Sequence, residues 1–252
     1  MLRHRVIPCL LLQDDGLVKT LRFENPKYVG DPINAIRIFN EKEVDELLVL
    51  DIQASKSKRE PNYDLIEEFA GECFMPLAYG GGIASVHQAR RLFSIGVEKV
   101  AIQTGALANL DLVNDIAVRY GNQSVVVALD IKKNLLGRYK LYSSATGKAL
   151  DRDWLELIKL AIDAGAGEIL INAVDRDGTL SGMDLSLIEN VASVCSIPLI
   201  AAGGVGSLAD IKAAVKAGAS AVACGAFFVY QGPHRAVLIT YPKYDELTAL
   251  LR

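Results

Sequence analysis

Cysteine, long apolar runs and an excess of charge of one sign are all scarce in this 252-residue sequence. The four cysteines, Cys9, Cys73, Cys195 and Cys224, are too far apart for a disulfide framework or a zinc motif, which favours a reducing compartment. No apolar run approaches the roughly 18 residues that a transmembrane helix needs. With 27 basic and 30 acidic residues, the net charge of −3 argues against coating nucleic acid or anionic membrane. We therefore predict a cytoplasmic protein with neither kind of partner.

Common motifs of hydrolytic and metal-dependent enzymes are missing as well. The chain has no HExxH, P-loop, G-x-S-x-G or CxxC motif. Its three histidines, His4, His87 and His234, are not placed like a general base. We predict no metal site and no cofactor.

Eight short apolar runs alternate with amphipathic segments, as expected when helices cover both faces of a parallel sheet. Residues of the first half recur in the second at a constant offset of 122, as Gly81 and Gly203 or Ser85 and Ser207 illustrate. Eight βα units in this length predict a single (βα)8 TIM barrel of two duplicated (βα)4 half-barrels, with a doubly wound sheet as the alternative. The predicted domain spans 1–252, with half-barrels at about 1–122 and 123–252. The predicted strands are Arg5–Leu12, Glu46–Ile52, Pro76–Gly80, Lys99–Thr104, Ser124–Ile131, Glu168–Val174, Pro198–Ala202 and Ala221–Gly225.

Glycine-rich turns follow the third and seventh predicted strands and lead directly into helices. Gly81 and Gly82 form one turn, and Gly203 and Gly204 form the other. Glycine lets backbone N–H groups approach an anion closely, and a helix N-terminus favours negative charge. The duplicated turns therefore predict two phosphate sites at one barrel mouth, with tight turn geometry alone as the alternative. The small residues after the adjacent strands join these predicted sites: Thr104, Gly225 and Ala226.

Three aspartates fall at or just after the carboxyl ends of predicted strands: Asp51, Asp130 and Asp177. Apolar neighbours should desolvate Asp130 and raise its pKa toward the range useful for proton transfer. A salt bridge to Lys132 or Lys133 is the alternative for this residue. We predict catalytic roles for Asp130 and Asp177. The predicted substrate-binding surface also includes Asp51, Asn172 and Gly178.

Charged residues begin four of the predicted strands, and in a barrel they would meet at its N-terminal face: Arg5, Glu46, Lys99 and Glu168. From spacing alone, a structural salt-bridge ring is the favoured interpretation, because buried ions are costly unless they are paired. The longest irregular stretch, Gln13–Asp31, follows the first strand and carries Lys19. Long loops at this end of a barrel strand are lids or disordered segments, and we expect a lid.

Nearly the whole chain resembles the cyclase subunit of imidazole glycerol phosphate synthase from histidine biosynthesis. The resemblance runs from Arg5 to about Phe228 and includes Tyr79-Gly80-Gly81-Gly82-Ile83, Val125–Asp130 and Asp175-Arg176-Asp177-Gly178-Thr179. It implies a duplicated half-barrel that binds a substrate with a phosphate at each end. It also implies a heterodimer, with a glutaminase subunit docked on the N-terminal face of the barrel.

The resemblance assigns further roles to individual residues. Arg5, Glu46, Lys99 and Glu168 match a charged ring that gates ammonia entering the barrel interior, which replaces the structural interpretation of these four residues. Asp130 matches one of two acid–base aspartates, and Lys19 matches a lysine of the mobile loop over the substrate, which makes Lys19 a predicted catalytic residue.

The chain departs from the family pattern at the second acid–base position, which is Leu11 here. Leucine cannot transfer protons, and Gln103 and Asn172 also replace the expected residue types. The pattern is similar to paralogues associated with glycosyl amidation in surface-polysaccharide (lipopolysaccharide) synthesis. The sequence therefore favours a synthase-side subunit that delivers ammonia to a phosphorylated sugar or nucleotide sugar. A histidine-pathway cyclase and a non-catalytic adaptor that activates a glutaminase are the alternatives.

Overall fold

Eight parallel strands close into a barrel in the computed structural model, which describes residues 4–251. Around the barrel the strand order is β1-β4-β5-β6-β7-β10-β11-β12, and β12 pairs with β1 to close it. The strands are β1 (Arg5–Gln13), β2 (Gly16–Leu21), β3 (Glu24–Gly30), β4 (Leu47–Asp51), β5 (Leu77–Gly80), β6 (Lys99–Ile102), β7 (Val125–Lys133), β8 (Tyr139–Ser143), β9 (Lys148–Leu150), β10 (Glu168–Ala173), β11 (Leu199–Ala202), β12 (Ala221–Cys224), β13 (Tyr230–Gln231) and β14 (Ala236–Val237).

Helices follow the barrel strands and pack around the outside of the barrel. They are α1 (Pro32–Glu41), α2 (Tyr63–Gly71), α3 (Val86–Ser94), α4 (Thr104–Ala108), α5 (Asp111–Tyr120), α6 (Trp154–Asp163), α7 (Leu185–Ala192), α8 (Leu208–Lys216), α9 (Ala226–Val229) and α10 (Tyr244–Leu251). The predicted (βα)8 barrel is therefore confirmed. The predicted half-barrel boundaries stay a prediction, and positions 1–3 and 252 of that domain lie outside the described residues.

Equivalent helices of the two halves begin in the same way. Ser85 precedes α3 and its hydroxyl accepts from the backbone N–H of Gln88, while the Gln88 side chain returns to the Ser85 N–H. Ser207 precedes α8, where its hydroxyl accepts from the Asp210 N–H at 3.3 Å. Each cap satisfies a helix N–H group that has no partner within the helix. The recurring serines therefore start helices at matching points.

Two β-hairpins extend from the barrel beside its C-terminal mouth. The segment expected to be an irregular lid instead forms two strands: β2 pairs antiparallel with β1, and β3 pairs antiparallel with β2. The short apolar run Leu17-Val18 was the missed strand signal, and Gly16–Val18 is the part of β2 that pairs with β1. A second hairpin pairs β7 with β8 and β8 with β9. Asp130 therefore lies within β7, three residues before its end, rather than at the end of a strand.

Side chains of the barrel strands divide between an outer and an inner core. Outward-facing residues pack against the helices, whereas the inner cluster contains Ile7, Leu48, Ala101 and Leu170, each below 5% exposed. All four cysteines carry free thiols, as predicted. Within residues 4–251 we find no helix with the length and apolarity to cross a bilayer. Leu48, Ala101 and Leu170 of this inner cluster also line a cavity at the barrel mouth.

Candidate active site

One cavity opens at the C-terminal mouth of the barrel and collects every predicted catalytic and substrate-binding residue. Its wall comes from the segments that follow β1, β4, β5, β6, β7, β10, β11 and β12. The gate residues lie elsewhere, at the opposite end of the barrel. The predicted residues in the wall are Lys19, Asp51, Gly81, Gly82, Thr104, Asp130, Asn172, Asp177, Gly178, Gly203, Gly204, Gly225 and Ala226.

Asp130 is a buried carboxyl group whose environment favours its protonated form. The pKa of Asp130 is raised from 3.8 to about 7, mainly by burial and also by the charge of Asp177, while a hydrogen bond from Gln103 opposes the shift. The alternative of a salt bridge to Lys132 or Lys133 is not what forms, because Lys133 pairs with Asp184 at 2.7 Å and the Lys132 ammonium group lies over the Tyr142 ring. A carboxyl group that titrates near neutral pH can both give and take a proton.

Asp177 joins the first hairpin to the barrel mouth. Its carboxylate accepts from the Thr20 hydroxyl at 2.7 Å and from the Phe23 N–H at 3.4 Å. Burial raises the pKa of Asp177, and these hydrogen bonds together with the positive charge of Lys19 counter that effect. Since Asp130 lacks a cation of this kind, the two carboxyl groups differ in environment. Asp130 is the better proton donor near neutral pH, and Asp177 the better fixed negative charge.

Lys19 extends from β2 into the cavity and is only 5% exposed. Its ammonium group donates to the carbonyl oxygen of Cys9 at 2.5 Å. Burial lowers the pKa of Lys19, while nearby Cys9 and Asp177 act in the opposite direction. The hairpin thus brings a cation into the cavity wall, of which Leu11 is also a part.

Packing accounts for the glycines of the first turn. A Cβ atom on Gly81 would lie 2.5 Å from the Asp51 carbonyl oxygen, and one on Gly82 would lie 2.6 Å from the Arg59 carbonyl oxygen. Both residues have positive φ, at 126° and 71°. The Asp51 side chain accepts from the Gln53 and Ala54 N–H groups, each at 2.8 Å, and so shapes the same turn. Turn geometry alone therefore explains why these positions are glycine.

The second turn is built in the same way. Gly203 and Gly204 have φ of 96° and 100°, and a Cβ on Gly204 would lie 2.2 Å from the Gly182 carbonyl oxygen. Beside the two turns, the short helices α4 and α9 begin at Thr104 and Ala226 without a side-chain cap. No side chain caps the first turn of either helix, and both helix starts line the cavity.

The four predicted gate residues form a closed ring of ion pairs at the N-terminal end of the barrel. Arg5 pairs with Glu46 and, at 2.7 Å, with Glu168; Lys99 pairs with both carboxylates at 2.8 Å. Burial opposes ionisation of Glu168, but Arg5 and Lys99 hold its pKa below the ordinary value. Because β1, β6 and β10 are not neighbours in the barrel, the ring spans the interior.

One apolar layer separates the ring from the cavity. Leu48, Ala101 and Leu170 lie two residues after Glu46, Lys99 and Glu168, so their side chains take the next inward-facing positions along the strands. The same three residues line the lower cavity wall. The ring, the apolar layer and the cavity therefore succeed one another along the barrel axis.

The sequence did not single out several residues of the cavity wall. Ser144 comes from the loop between β8 and β9, and its hydroxyl donates to the Gln103 side-chain oxygen at 2.5 Å. Ser55 accepts from the Gly82 N–H at 3.2 Å, and Phe23 lines the wall from the first hairpin. Neither serine carries a sequence signal, because each reaches the cavity through a loop whose course depends on the folded barrel.

Comparisons with known proteins agree over nearly the whole chain. The model for the family described as "Histidine biosynthesis protein" matches residues 5–234. A Pseudomonas aeruginosa protein with the provisional name imidazole glycerol phosphate synthase subunit hisF2 is 54% identical over 248 residues, covering 98% of this chain and 99% of the relative. A Vibrio vulnificus protein with the provisional name imidazole glycerol phosphate synthase subunit hisF3 is 45% identical over 251 residues, covering 98% and 95%. Imidazole glycerol phosphate synthase subunit HisF of Streptococcus sanguinis is 42% identical over 207 residues, covering 82% of each chain.

Proposed function

The chain belongs to the histidine biosynthesis protein family, and from that premise we propose that it is the synthase-side subunit of a glutamine-dependent amidotransferase. A glutaminase subunit docks on its N-terminal face and releases ammonia there. Ammonia passes the ring of Arg5, Glu46, Lys99 and Glu168 and reaches a phosphorylated substrate in the cavity. The observation that carries this proposal is the succession of ion ring, single apolar layer and cavity along one axis.

The cavity offers two ends at which phosphates would bind. Thr104 begins one uncapped helix beside Gly81 and Gly82, and Ala226 begins the other across the mouth. Backbone N–H groups at the glycine turns and at these helix starts would donate to phosphate oxygens. The alternative of turn geometry explains the glycines but not the two uncapped helix starts. These support the proposal of a substrate that carries two phosphates.

Within the cavity, Asp130 would move the protons of the amination step. The ammonia lone pair forms a bond to an electrophilic carbon of the substrate, and a proton must then leave the new C–N group. Asp130 in its ionised form accepts that proton, and in its protonated form it can return one to the departing oxygen. The apolar layer limits water in the passage, so ammonia stays unprotonated and hydrolysis does not compete.

Two acceptors are compatible with this chemistry. The names of the relatives favour the histidine-pathway reaction, in which the chain would be a cyclase that closes the imidazole ring, and they fit it at least as well as polysaccharide amidation. Leu11 favours the second acceptor, a phosphorylated sugar or nucleotide sugar of surface-polysaccharide synthesis, because it removes a proton-transfer group from the cavity wall. A cyclase-deficient strain that requires histidine separates the two. Growth on this gene supports ring closure. Failure to grow despite good expression, followed by growth with Leu11→Asp, supports the second acceptor.

The decisive biochemical test compares two nitrogen sources. The chain is co-expressed with its glutaminase, and products from ribonucleotide and nucleotide-sugar acceptors are identified by mass spectrometry. Lys99→Met should lower glutamine-driven turnover more than ammonium-driven turnover, because only the first depends on the ring. Equal loss of turnover with both nitrogen sources would contradict passage through the ring.

Asp130→Asn should abolish turnover with glutamine and with ammonium, and the exposed Asp115→Asn serves as its control. An Asp130→Asn complex with unchanged turnover would instead identify a non-catalytic adaptor.

A further inference from the structure

A second, smaller cavity lies on the second hairpin, outside the cavity at the barrel mouth. Its wall includes one face of the hairpin, with Lys132, Lys140, Tyr142 and Ala149. In the paired strands Lys132 lies directly opposite Lys140, and Tyr142 lies directly opposite Ala149. Because alternate residues of a strand share a face, the two lysines and the tyrosine point to the same side of the hairpin. We call this surface the basic face.

The basic face holds two like charges close together. Lysines directly opposite on antiparallel strands repel each other. The Lys140 ammonium group lies 3.0 Å from the Asp151 carboxylate, but Asp151 is fully exposed, and exposed ion pairs stabilise little. Among residues 4–251 no carboxylate pairs with Lys132, whose ammonium group lies 5.2 Å from the centre of the Tyr142 ring. An anion bound by both lysines would replace this repulsion with attraction.

The basic face continues the wall of the cavity at the barrel mouth. Asp130 lines that cavity and lies two residues before Lys132 on β7, a rise of about 7 Å. Asp130 is also the register partner of Tyr142. Phe23 lines the cavity as well, and the centre of its ring lies 6.2 Å from that of Tyr142. A molecule that reaches Asp130 can therefore extend outward along the hairpin as far as the lysines.

The chemistry of the basic face fits a phosphate group. Ammonium groups donate charge-assisted hydrogen bonds to phosphate oxygens, and two ammonium groups can bind different oxygens of one phosphate. The Tyr142 ring attracts the Lys132 ammonium group and so limits where this group points. A phosphate here would occupy a third position, beyond the two uncapped helix starts at Thr104 and Ala226.

We propose that Lys132 and Lys140 bind a phosphate group of an elongated substrate whose reacting end lies beside Asp130. Tyr142 is a positioning residue that holds the Lys132 ammonium group over its ring. The inference rests on the proposed function, because it takes the cavity at the barrel mouth to be the place where the substrate reacts. It deepens that function by favouring a nucleotide sugar, whose phosphates and nucleoside extend away from the sugar.

Chemical labelling tests this subsite without an assay of turnover. An acetylating reagent modifies free lysine amines, and mass spectrometry gives the rate at each lysine of the whole chain. Lys148 is the internal control, because it is exposed and precedes Ala149 on β9, so it points to the other side of the hairpin. A panel of nucleotide sugars and inorganic phosphate are tested at equal concentration. At least one nucleotide sugar should slow labelling of Lys132 and Lys140 severalfold and leave Lys148 unchanged.

Two labelling results would overturn the inference. If no nucleotide sugar of the panel protects Lys132 and Lys140, the basic face is a solvated surface without a ligand. If inorganic phosphate protects both lysines as well as the best nucleotide sugar does, the basic face binds free anions and is not an extension of the substrate site.

Substitutions measure what each side chain contributes to affinity. Lys132→Gln and Lys140→Gln should each weaken binding of the protecting nucleotide sugar about tenfold in isothermal titration calorimetry, the factor for one charge-assisted hydrogen bond. Lys148→Gln should bind like the wild type. Tyr142→Leu should also weaken binding, whereas Tyr142→Phe keeps the ring and should retain the wild-type affinity. Equal weakening by both Tyr142 variants would contradict the positioning role.

Thermal unfolding without ligand checks that Lys132 is not a structural residue. Lys132→Gln should melt no lower than the wild type, because the repulsion between Lys132 and Lys140 is gone. A clearly lower Tm for Lys132→Gln than for Lys148→Gln would assign Lys132 to the stability of the hairpin and contradict the inference.

Turnover separates this inference from the proposed function. With an amidated nucleotide sugar in hand, Lys132→Gln should raise the KM of that acceptor about tenfold and leave kcat and the KM for ammonium unchanged. An unchanged KM of the acceptor would overturn the inference but leave the function intact. If no product forms while the protection of Lys132 and Lys140 persists, the function fails and the subsite stands.

Discussion

The raised pKa of Asp130 makes stability depend on pH in a way that a single substitution removes. Asp130→Asn replaces the ionisable carboxyl group by an amide of similar shape that can still accept from Gln103. In the wild type, the folded state holds the Asp130 proton more tightly than the unfolded state does, because the pKa is raised, mainly by burial, from 3.8 to about 7. Its contribution is therefore fully present below the unfolded pKa and is lost as pH rises through the folded pKa.

The size of the effect follows from those two pKa values. Between pH 5 and pH 8 the wild type should lose roughly 2–3 kcal/mol of unfolding free energy through this group alone. The Asp130→Asn variant should not lose this unfolding free energy, because its amide does not ionise. The difference in stability between the variant and the wild type should therefore move in favour of the variant by the same amount over this interval.

Urea unfolding at several pH values measures this difference, with circular dichroism as the signal and equal m-values as a check that the unfolded states match. The exposed Asp115→Asn is the control, and its stability should run parallel to that of the wild type. Parallel curves for the wild type and Asp130→Asn between pH 5 and pH 8 would refute the argument. They would mean that water reaches the carboxyl group, and the case for proton transfer at neutral pH would fail with it.

Three further substitutions test other parts of the structure by the same urea measurement. Lys99→Met should cost about 3 kcal/mol, since it leaves Glu46 short of a cation in the buried ring, and high salt should not restore it. Ser207→Ala should cost about 1 kcal/mol through loss of the α8 cap, and no loss would show that the cap is dispensable. Gly204→Ala should cost several times more than Gly71→Ala, which meets open space; similar costs would contradict the tight turn.

The barrel could be predicted from the sequence because its signals are local and repeated. Continuous apolar runs identified all eight parallel strands, and most observed ends lie within one or two residues of the predicted ones. Ser85 and Ser207, which recur at the offset of 122, cap the equivalent helices α3 and α8. The (βα)8 arrangement then brought the ends of the strands, and thus Asp51, Asp130 and Asp177, to one mouth.

The features that could not be predicted from the sequence depend on contacts between distant segments of the chain. The first hairpin escaped prediction because its second strand, Glu24–Gly30, is mostly exposed and carries no apolar alternation. Ser144 and Gln103 are 41 residues apart, and their hydrogen bond exists only once the second hairpin folds over the mouth.

The ion ring also limits how this protein can change over generations. Each of its cations serves both carboxylates, so one replacement breaks two contacts and strands a net charge where little water can reach it. Viable substitutions must therefore arrive as compensating pairs. A gene library randomised at Arg5 alone should return little but arginine, whereas one randomised jointly at Arg5 and Glu168 should yield exchanged or uncharged combinations. Substitutions at these four positions, which are distant from one another in the gene, should therefore be correlated.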